Sequence, residues 1–268
     1  MDIKYIKELG TGFSGTVYLV KIKNKLCSLK IQHILKEDIT NKKSELWKEI
    51  AFYKYVSDFY PIFKKFYSYN FVSDCKFIKN NNSAHLVVYN VNHKYEKLQK
   101  SNYCIEYISS YEENTLRTII DKLNIKQIYS LILQILCGIK ILQDKKYTQN
   151  DLNINNITYN KTTKKYTTIK SKNITYKIPV FDYIYTIIDY GGVEHPSFIN
   201  NKEEKQIYLK NYKKIDICNL IGNIKKYWFS SDNKKTSNVD KLKNEIIYME
   251  QNSNNVEKLI TYFQNKLV

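Results

Sequence analysis

Four positions far apart in this chain carry side chains that together could move a phosphoryl group. Lys30 stands near the end of the apolar run Leu26-Cys27-Ser28-Leu29-Lys30-Ile31. Asp151 and Asn156 lie five residues apart in Gln149-Asn150-Asp151-Leu152-Asn153-Ile154-Asn155-Asn156. Asp189 ends the apolar run Tyr185-Thr186-Ile187-Ile188 and precedes Tyr190-Gly191-Gly192. An ammonium is a compact point charge for phosphate oxygens. A loop carboxylate such as Asp151 can orient an acceptor hydroxyl and take its proton. The amide oxygen of Asn156 and the carboxylate of Asp189 are ligands of the kind Mg²⁺, a hard cation, prefers, and the two glycines after Asp189 leave a metal room. Phosphoryl transfer asks for little else: the phosphates held, their charge neutralised and the acceptor placed in line. A lysine in an apolar strand is costly to bury unpaired, so Lys30 needs a carboxylate. Glu49, beside the apolar stripe of a helical pattern, is the expected partner, with Glu45 one turn earlier as the alternative.

The elements that would position these groups can be read from hydrophobic pattern. Gly10, Gly12 and Gly15 form a G-x-G-x-x-G loop. Dinucleotide-binding folds use the same spacing to open a helix, but here Thr16 to Ile22 is rich in β-branched and aromatic residues, so the chain leaves the glycines as a strand. Asn24-Lys25 turns it back into the strand that carries Lys30. Leu46, Ile50 and Tyr53 predict a helix over 41–59, ended by Pro61. Strands are expected over 66–79, 86–91 and 103–108, with a polar connection over 92–101 and Ser109-Ser110 as a linker. Helices are expected over 115–123 and 125–142, the second apolar enough to be a core helix. A hairpin-like stretch then runs to residue 188, and helical patterns cover 214–228, 239–249 and 256–267. The order predicts one α+β domain of two lobes, a small β-rich lobe over 1–108 and a mainly helical lobe over 109–268, with a cleft between them.

The 268 residues carry a net charge of +17, nearly all of it lysine; Arg117 is the single arginine. Lysine, asparagine, isoleucine and tyrosine are over-used together, as an A+T-rich genome produces by codon bias. Specific nucleic-acid readers lean on arginine, so no dedicated nucleic-acid surface is expected despite the basic field. The N-terminus lacks a basic-then-apolar leader, and no uncharged apolar run reaches the roughly 18 residues of a membrane span. The five cysteines are scattered without a C-x-x-C pair, which predicts neither a disulfide framework nor a zinc site and fits a reducing, cytoplasmic compartment. His33, His85, His93 and His195 stand apart in sequence with no metal-ligand spacing.

Taken in order, these motifs resemble the eukaryotic-type protein kinase superfamily over almost the whole chain. The resemblance implies a two-lobed kinase fold that binds ATP and Mg²⁺ and phosphorylates Ser or Thr hydroxyls of proteins. It assigns Gly10, Gly12 and Gly15 to the phosphate-covering loop and Val17 to the residue capping adenine. Lys30, Ser28 two residues before it and Glu49 fall at the strand lysine, its small neighbour and the helix glutamate. Ile105 falls at the gatekeeper, with backbone groups of Glu106 and Ile108 offered to adenine. Asp151 matches the catalytic aspartate, Asn156 the metal asparagine and Asp189 the metal aspartate of Asp-Phe-Gly, here Asp-Tyr-Gly. Asp216 matches the buried helix aspartate that anchors the catalytic loop. The longer span from Asn156 to Asp189, with a hairpin from Lys164 to Pro179, is similar to the haspin-like group and the small kinases of large DNA viruses.

The chain also departs from the family. Gln149 and Asn150 replace the His-Arg of His-Arg-Asp, Asn153 stands at the catalytic-loop lysine, and Ala-Pro-Glu is absent. Without the arginine that clamps a phosphorylated loop, activity independent of loop phosphorylation is expected. Asn153 removes a positive charge from the transferring phosphate, which leaves open a pseudokinase that binds nucleotide and regulates or scaffolds a partner. A small-molecule kinase of the aminoglycoside or choline type shares the Asp and Asn but not this glycine loop.

Overall fold

The glycine-bearing segment folds as the β-pattern requires. In the computed structural model, which describes residues 2–12, 15–75, 101–171, 174–228 and 239–267, β1 (Ile3–Gly12), β2 (Gly15–Ile22) and β3 (Lys25–Ile34) pair antiparallel in sequence order. The chain then forms a short α1 (Lys36–Thr40), α2 (Glu45–Val56) and β4 (Phe66–Ser73), and returns as β5 (Tyr103–Ser110) between β3 and β4. The sheet order is β1-β2-β3-β5-β4. The tip Phe13-Ser14, the expected strand over 86–91, the end of that over 66–79 and most of the connection over 92–101 lie outside the described residues. So do His85 and His93.

Residues 1–57 and 65–111 form one compact unit, and residues 58–64 with 112–268 form a second. In the first unit, one sheet face carries Tyr18, Val20, Cys27, Leu29, Ile31, Cys104 and Ile108 as a buried cluster. The opposite face packs on α2, where Tyr53 stacks on Tyr107 with centroids 5.0 Å apart. The scattered cysteines predict no disulfide framework. The fold corrects this: Cys75 and Cys104 are bonded, because β4 sets Val72 opposite Cys104 and the chain turns at Asp74 (φ +68°), where Asp74 N and Cys75 N both donate to Asn102 O.

The second unit is built on α3 (Ile125–Asp144). Asn124 and Gln127 cap it reciprocally: Gln127 N donates to Asn124 Oδ1 at 3.0 Å and Asn124 N to Gln127 Oε1 at 2.9 Å. By length and composition α3 could cross a membrane, but here it is mostly buried within the unit. Two-residue strand β6 (Asn114–Thr115), β7 (Ile157–Lys161) and β10 (Tyr183–Ile187) form a sheet of order β10-β7-β6. The expected hairpin is present as β8 (Tyr166–Ser171) and β9 (Ile174–Pro179). Buried Gln134 ties α3 to β10, donating to Tyr183 O (3.2 Å) and accepting from Tyr185 N (3.0 Å). Three helices follow: α4 (Lys202–Trp228), longer at its start than the pattern suggested, α5 (Val239–Gln251) and α6 (Val256–Leu267). The helix expected over 115–123 is instead two short 3₁₀ turns, Leu116–Thr118 and Ile120–Lys122. A strand-rich first part and a helical second part make the architecture α+β, as the sequence order required.

Candidate functional site

In the first unit the strand registers lay a row across one sheet face. Gly10 pairs with Val17, Val17 with Lys30, Lys30 with Tyr107 and Tyr107 with Tyr69. Residues directly opposite one another share a face, so half-buried Val17 flanks Lys30. Glu49 reaches the same face from α2: Lys30 Nζ donates to its Oε1 at 3.0 Å, with only 11% and 8% of the two side chains exposed. Tyr107 donates its hydroxyl to Glu49 Oε2 at 3.4 Å, and burial first, then the Glu49 charge, raises its pKa well above the usual tyrosine range. The carboxylate is therefore held by a cation and a phenol. Glu45, the alternative partner, is exposed. Sequence reasoning did not single out Tyr107; its place two residues along the strand from Ile105 was the available signal.

The glycine loop is set by close approach. β1 and β2 stay paired to Gly12 opposite Gly15. Gly15 has φ +145°, and a Cβ there would lie 2.2 Å from Ile31 O, so glycine is required. At Gly10 a Cβ would meet nothing within 4 Å.

The expectation for the backbone of Glu106 and Ile108 is corrected. Glu106 pairs with Ile31 and Asn70, and Ile108 with Leu29 and Ser68. Both sit mid-strand between two partners, so their backbone groups belong to the ladder and are not offered to adenine. Ile105 is likewise mid-ladder, opposite Gln32 and Phe71. The strand runs on to Ser110, further than the hydrophobic pattern alone could show. Ser28 is buried, and its hydroxyl donates to Ser110 O (3.0 Å) and meets Ser109 Oγ (2.8 Å), so its polar group cross-links β3 to β5.

In the second unit, buried Asp216 on α4 shapes the loop after α3. Its carboxylate accepts from Gln149 N (3.1 and 2.9 Å) and Asn150 N (2.9 Å). Burial raises its pKa to about 6 against the lowering pull of those two backbone donors. Asn150 takes φ +64°, a left-handed conformation that asparagine tolerates. Its side chain donates to Gly192 O (3.0 Å), and its own carbonyl accepts from Asn219 (3.0 Å).

Gln149 links the two acidic positions. It is fully buried, donates through Nε2 to Asp189 O (2.8 Å) and accepts Asp151 N at Oε1 (2.7 Å). A neutral amide thus makes both contacts, a role the sequence showed only as a replaced histidine. Asp189 has φ +57°, and Gly191 N donates to its Oδ1 (3.3 Å). Thr148 and Glu194 exchange backbone hydrogen bonds, so the chain after Asp189 runs beside the loop. Gly192 allows this, since a Cβ there would lie 3.0 Å from Gln149 O.

Asp151 is exposed, and both of its carboxylate oxygens are oriented by amides. Asn153 Nδ2 donates to Oδ1 (2.8 Å) and Asn156 Nδ2 to Oδ2 (2.7 Å). A second Asn156 bond, to Asp151 O at 2.9 Å, fixes the amide with its nitrogen toward Asp151 and its oxygen turned away. Ile188 N donates to Asn156 O at 2.9 Å, so Asn156 and the residue before Asp189 are joined. Tyr190 points inward, its hydroxyl donating to Ile187 O (2.9 Å) and accepting from Lys64 N (3.0 Å). The second unit therefore gathers an oriented carboxylate, an amide oxygen and a second carboxylate around one loop. These are hard oxygen ligands of the type Mg²⁺ takes.

No family model and no curated protein matches the chain. Solved structures do match it, among them a crystal structure of PF14_0431, kinase domain. That structure is 16% identical with a TM-score of 0.49, over 82% of this chain and 62% of the other. The chain thus spans less than two thirds of that structure's length.

Proposed function

We propose that this chain is an ATP- and Mg²⁺-dependent protein kinase that phosphorylates Ser or Thr hydroxyls. The observation that carries the reading is the loop of the second unit, where Asn156 bonds to Asp151 and Gln149 bonds to both Asp151 and Asp189. Lys30, held by Glu49 and Tyr107, neutralises phosphate oxygens of the nucleotide. Val17, on the same face, covers the base, and Gly10, Gly12 and Gly15 keep the backbone able to approach the phosphates. Backbone recognition of adenine passes from Glu106 and Ile108 to the chain beyond Ser110, where the ladder has ended. Asn156 Oδ1 and the Asp189 carboxylate would hold Mg²⁺, which when bound neutralises charge on the β- and γ-phosphates. Asp151, oriented at both oxygens, aligns the acceptor hydroxyl and takes its proton.

One observation favours the pseudokinase as a second reading: the group on Asp151 Oδ1 is the neutral amide of Asn153, so no cation from that position reaches the transferring phosphate. Transfer of labelled γ-phosphate to generic protein acceptors, followed by phosphoamino-acid analysis, separates the two. The kinase reading expects Mg²⁺-dependent label on Ser or Thr that falls by about 10²–10⁴-fold in Asp151→Asn. Nucleotide binding without transfer in the wild type establishes the regulator instead.

A further inference from the structure

One cluster of metal-ligating side chains lies apart from the residues above. His33 pairs with Cys104 across β3 and β5, and Cys75 lies just past the end of β4. His33, Cys75 and Cys104 each present a ligand atom within 4.8 Å of the others, the only such His/Cys/Asp/Glu group among the described residues. Sequence spacing hides it, since His33 and Cys104 come from separate strands, Cys75 from the chain just past a third, and no motif links them.

One ligand pair already has the spacing of a tetrahedral ion. With Zn–N of about 2.0–2.1 Å and Zn–S of about 2.3 Å, a tetrahedral site sets its nitrogen and sulfur ligands about 3.6 Å apart. His33 Nδ1 and Cys104 Sγ are 3.7 Å apart. The backbone that positions the cluster is tied by bonds that do not use sulfur. Asp74 N and Cys75 N donate to Asn102 O at 2.7 and 3.1 Å, Ser101 Oγ donates to Ile34 O at 2.6 Å, and Tyr103 N donates to Ser101 Oγ at 3.1 Å. Opening the disulfide therefore leaves both cysteines anchored beside His33. Cys104 is 1% exposed, a setting in which a lone thiolate is costly and a metal-bound one is compensated.

We propose that His33, Cys75 and Cys104 form a redox-gated zinc site, closed as the Cys75–Cys104 disulfide and open to one Zn²⁺ when reduced. A dithiol reductant supplies two electrons and two protons to the disulfide and becomes a disulfide itself. Zn²⁺ then displaces the two thiol protons and binds both thiolates. Neutral His33 binds through Nδ1, giving up that atom's 3.1 Å contact with Ser101 O. Thiolate and imidazole are the ligand types zinc selects. This inference does not depend on the kinase reading.

The test uses the full chain carrying Cys218→Ser, which removes the exposed free thiol. The protein is reduced, freed of reductant and titrated with zinc against a chromophoric chelator. Reduced protein is expected to take up one equivalent and oxidised protein none. His33→Gln, which leaves both cysteines intact, should weaken uptake by at least the about 10–100-fold typical of losing even an outer-shell partner, and Cys75→Ser should abolish it. Circular dichroism and Tm of each variant verify the fold. No uptake by the reduced chain, or an equivalent unaffected by His33→Gln and Cys75→Ser, overturns the proposal.

Discussion

Lys30 and Glu49 are the most buried opposite charges in the first unit's site, and their energetics can be separated from their chemistry. Lys30→Met leaves a buried carboxylate facing the Tyr107 phenol without its cation and should cost about 3–5 kcal/mol. Adding Glu49→Leu should recover most of that stability in urea unfolding without restoring nucleotide binding. A double variant no more stable than the single would show that the pair does not hold Glu49. Asp216 gives a pH test. Its pKa of about 6 lies above the ordinary aspartate value of 3.8, so in the window between them the folded state keeps a proton that the unfolded state releases. Its contribution to stability therefore falls as pH rises from about 4 to about 6. The Tm of the wild type relative to Asp216→Asn should drop across that window and level off above it; a relative rise would contradict the assignment. At this scale much was legible in the sequence. Residue type and order singled out Lys30, Glu49, Asp151, Asn156 and Asp189, and the family resemblance added Asp216; the structure pairs Lys30 with Glu49 and seats Asp216 beneath the loop. What stayed hidden were groups acting through contact alone, Tyr107 on Glu49 and Gln149 between Asp151 and Asp189, because nothing in a local pattern reports a partner tens of residues away.

The β1–β2 hairpin and β5 show what elements add. Gly15 is locked by φ +145° and the nearby Ile31 carbonyl, whereas Gly10 has open space. Gly15→Ala should therefore destabilise the protein by at least about 1–3 kcal/mol while Gly10→Ala changes it little, as read by chemical denaturation. Equal effects would refute the close approach at Gly15. Long periodic elements such as α3 and α6 were readable because many residues repeat one signal; α6 begins and ends where its pattern did. Strand limits were not. The length of β5 depends on pairing with β3 and β4, and this moved Glu106 and Ile108 from expected base contacts into the ladder. The Cys75–Cys104 bond follows from the β4–β5 pairing together with the turn at Asp74, which no cysteine spacing encodes. The 3₁₀ turns over 116–122 arise where a helical pattern is too short to sustain an α-helix.

Across the whole molecule, the net charge of +17 and the many tyrosines read as composition bias and not as a dedicated polyanion surface. The fold gives part of that composition internal work. Lys25 and Lys177 lie over the rings of Tyr67 and Tyr166 at 4.3 Å, and Tyr107, Tyr185 and Tyr190 are buried core residues. The central proposal is that the chain binds ATP with Mg²⁺ through the residues named above, and equilibrium binding of ATP with and without Mg²⁺ tests it most directly. Wild type should bind ATP more tightly with Mg²⁺, Asp189→Asn should lose that dependence, and Lys30→Met/Glu49→Leu should weaken binding in both conditions. Folded wild-type protein that ignores ATP, or that binds it equally with and without Mg²⁺ and unaffected by these substitutions, would contradict the account.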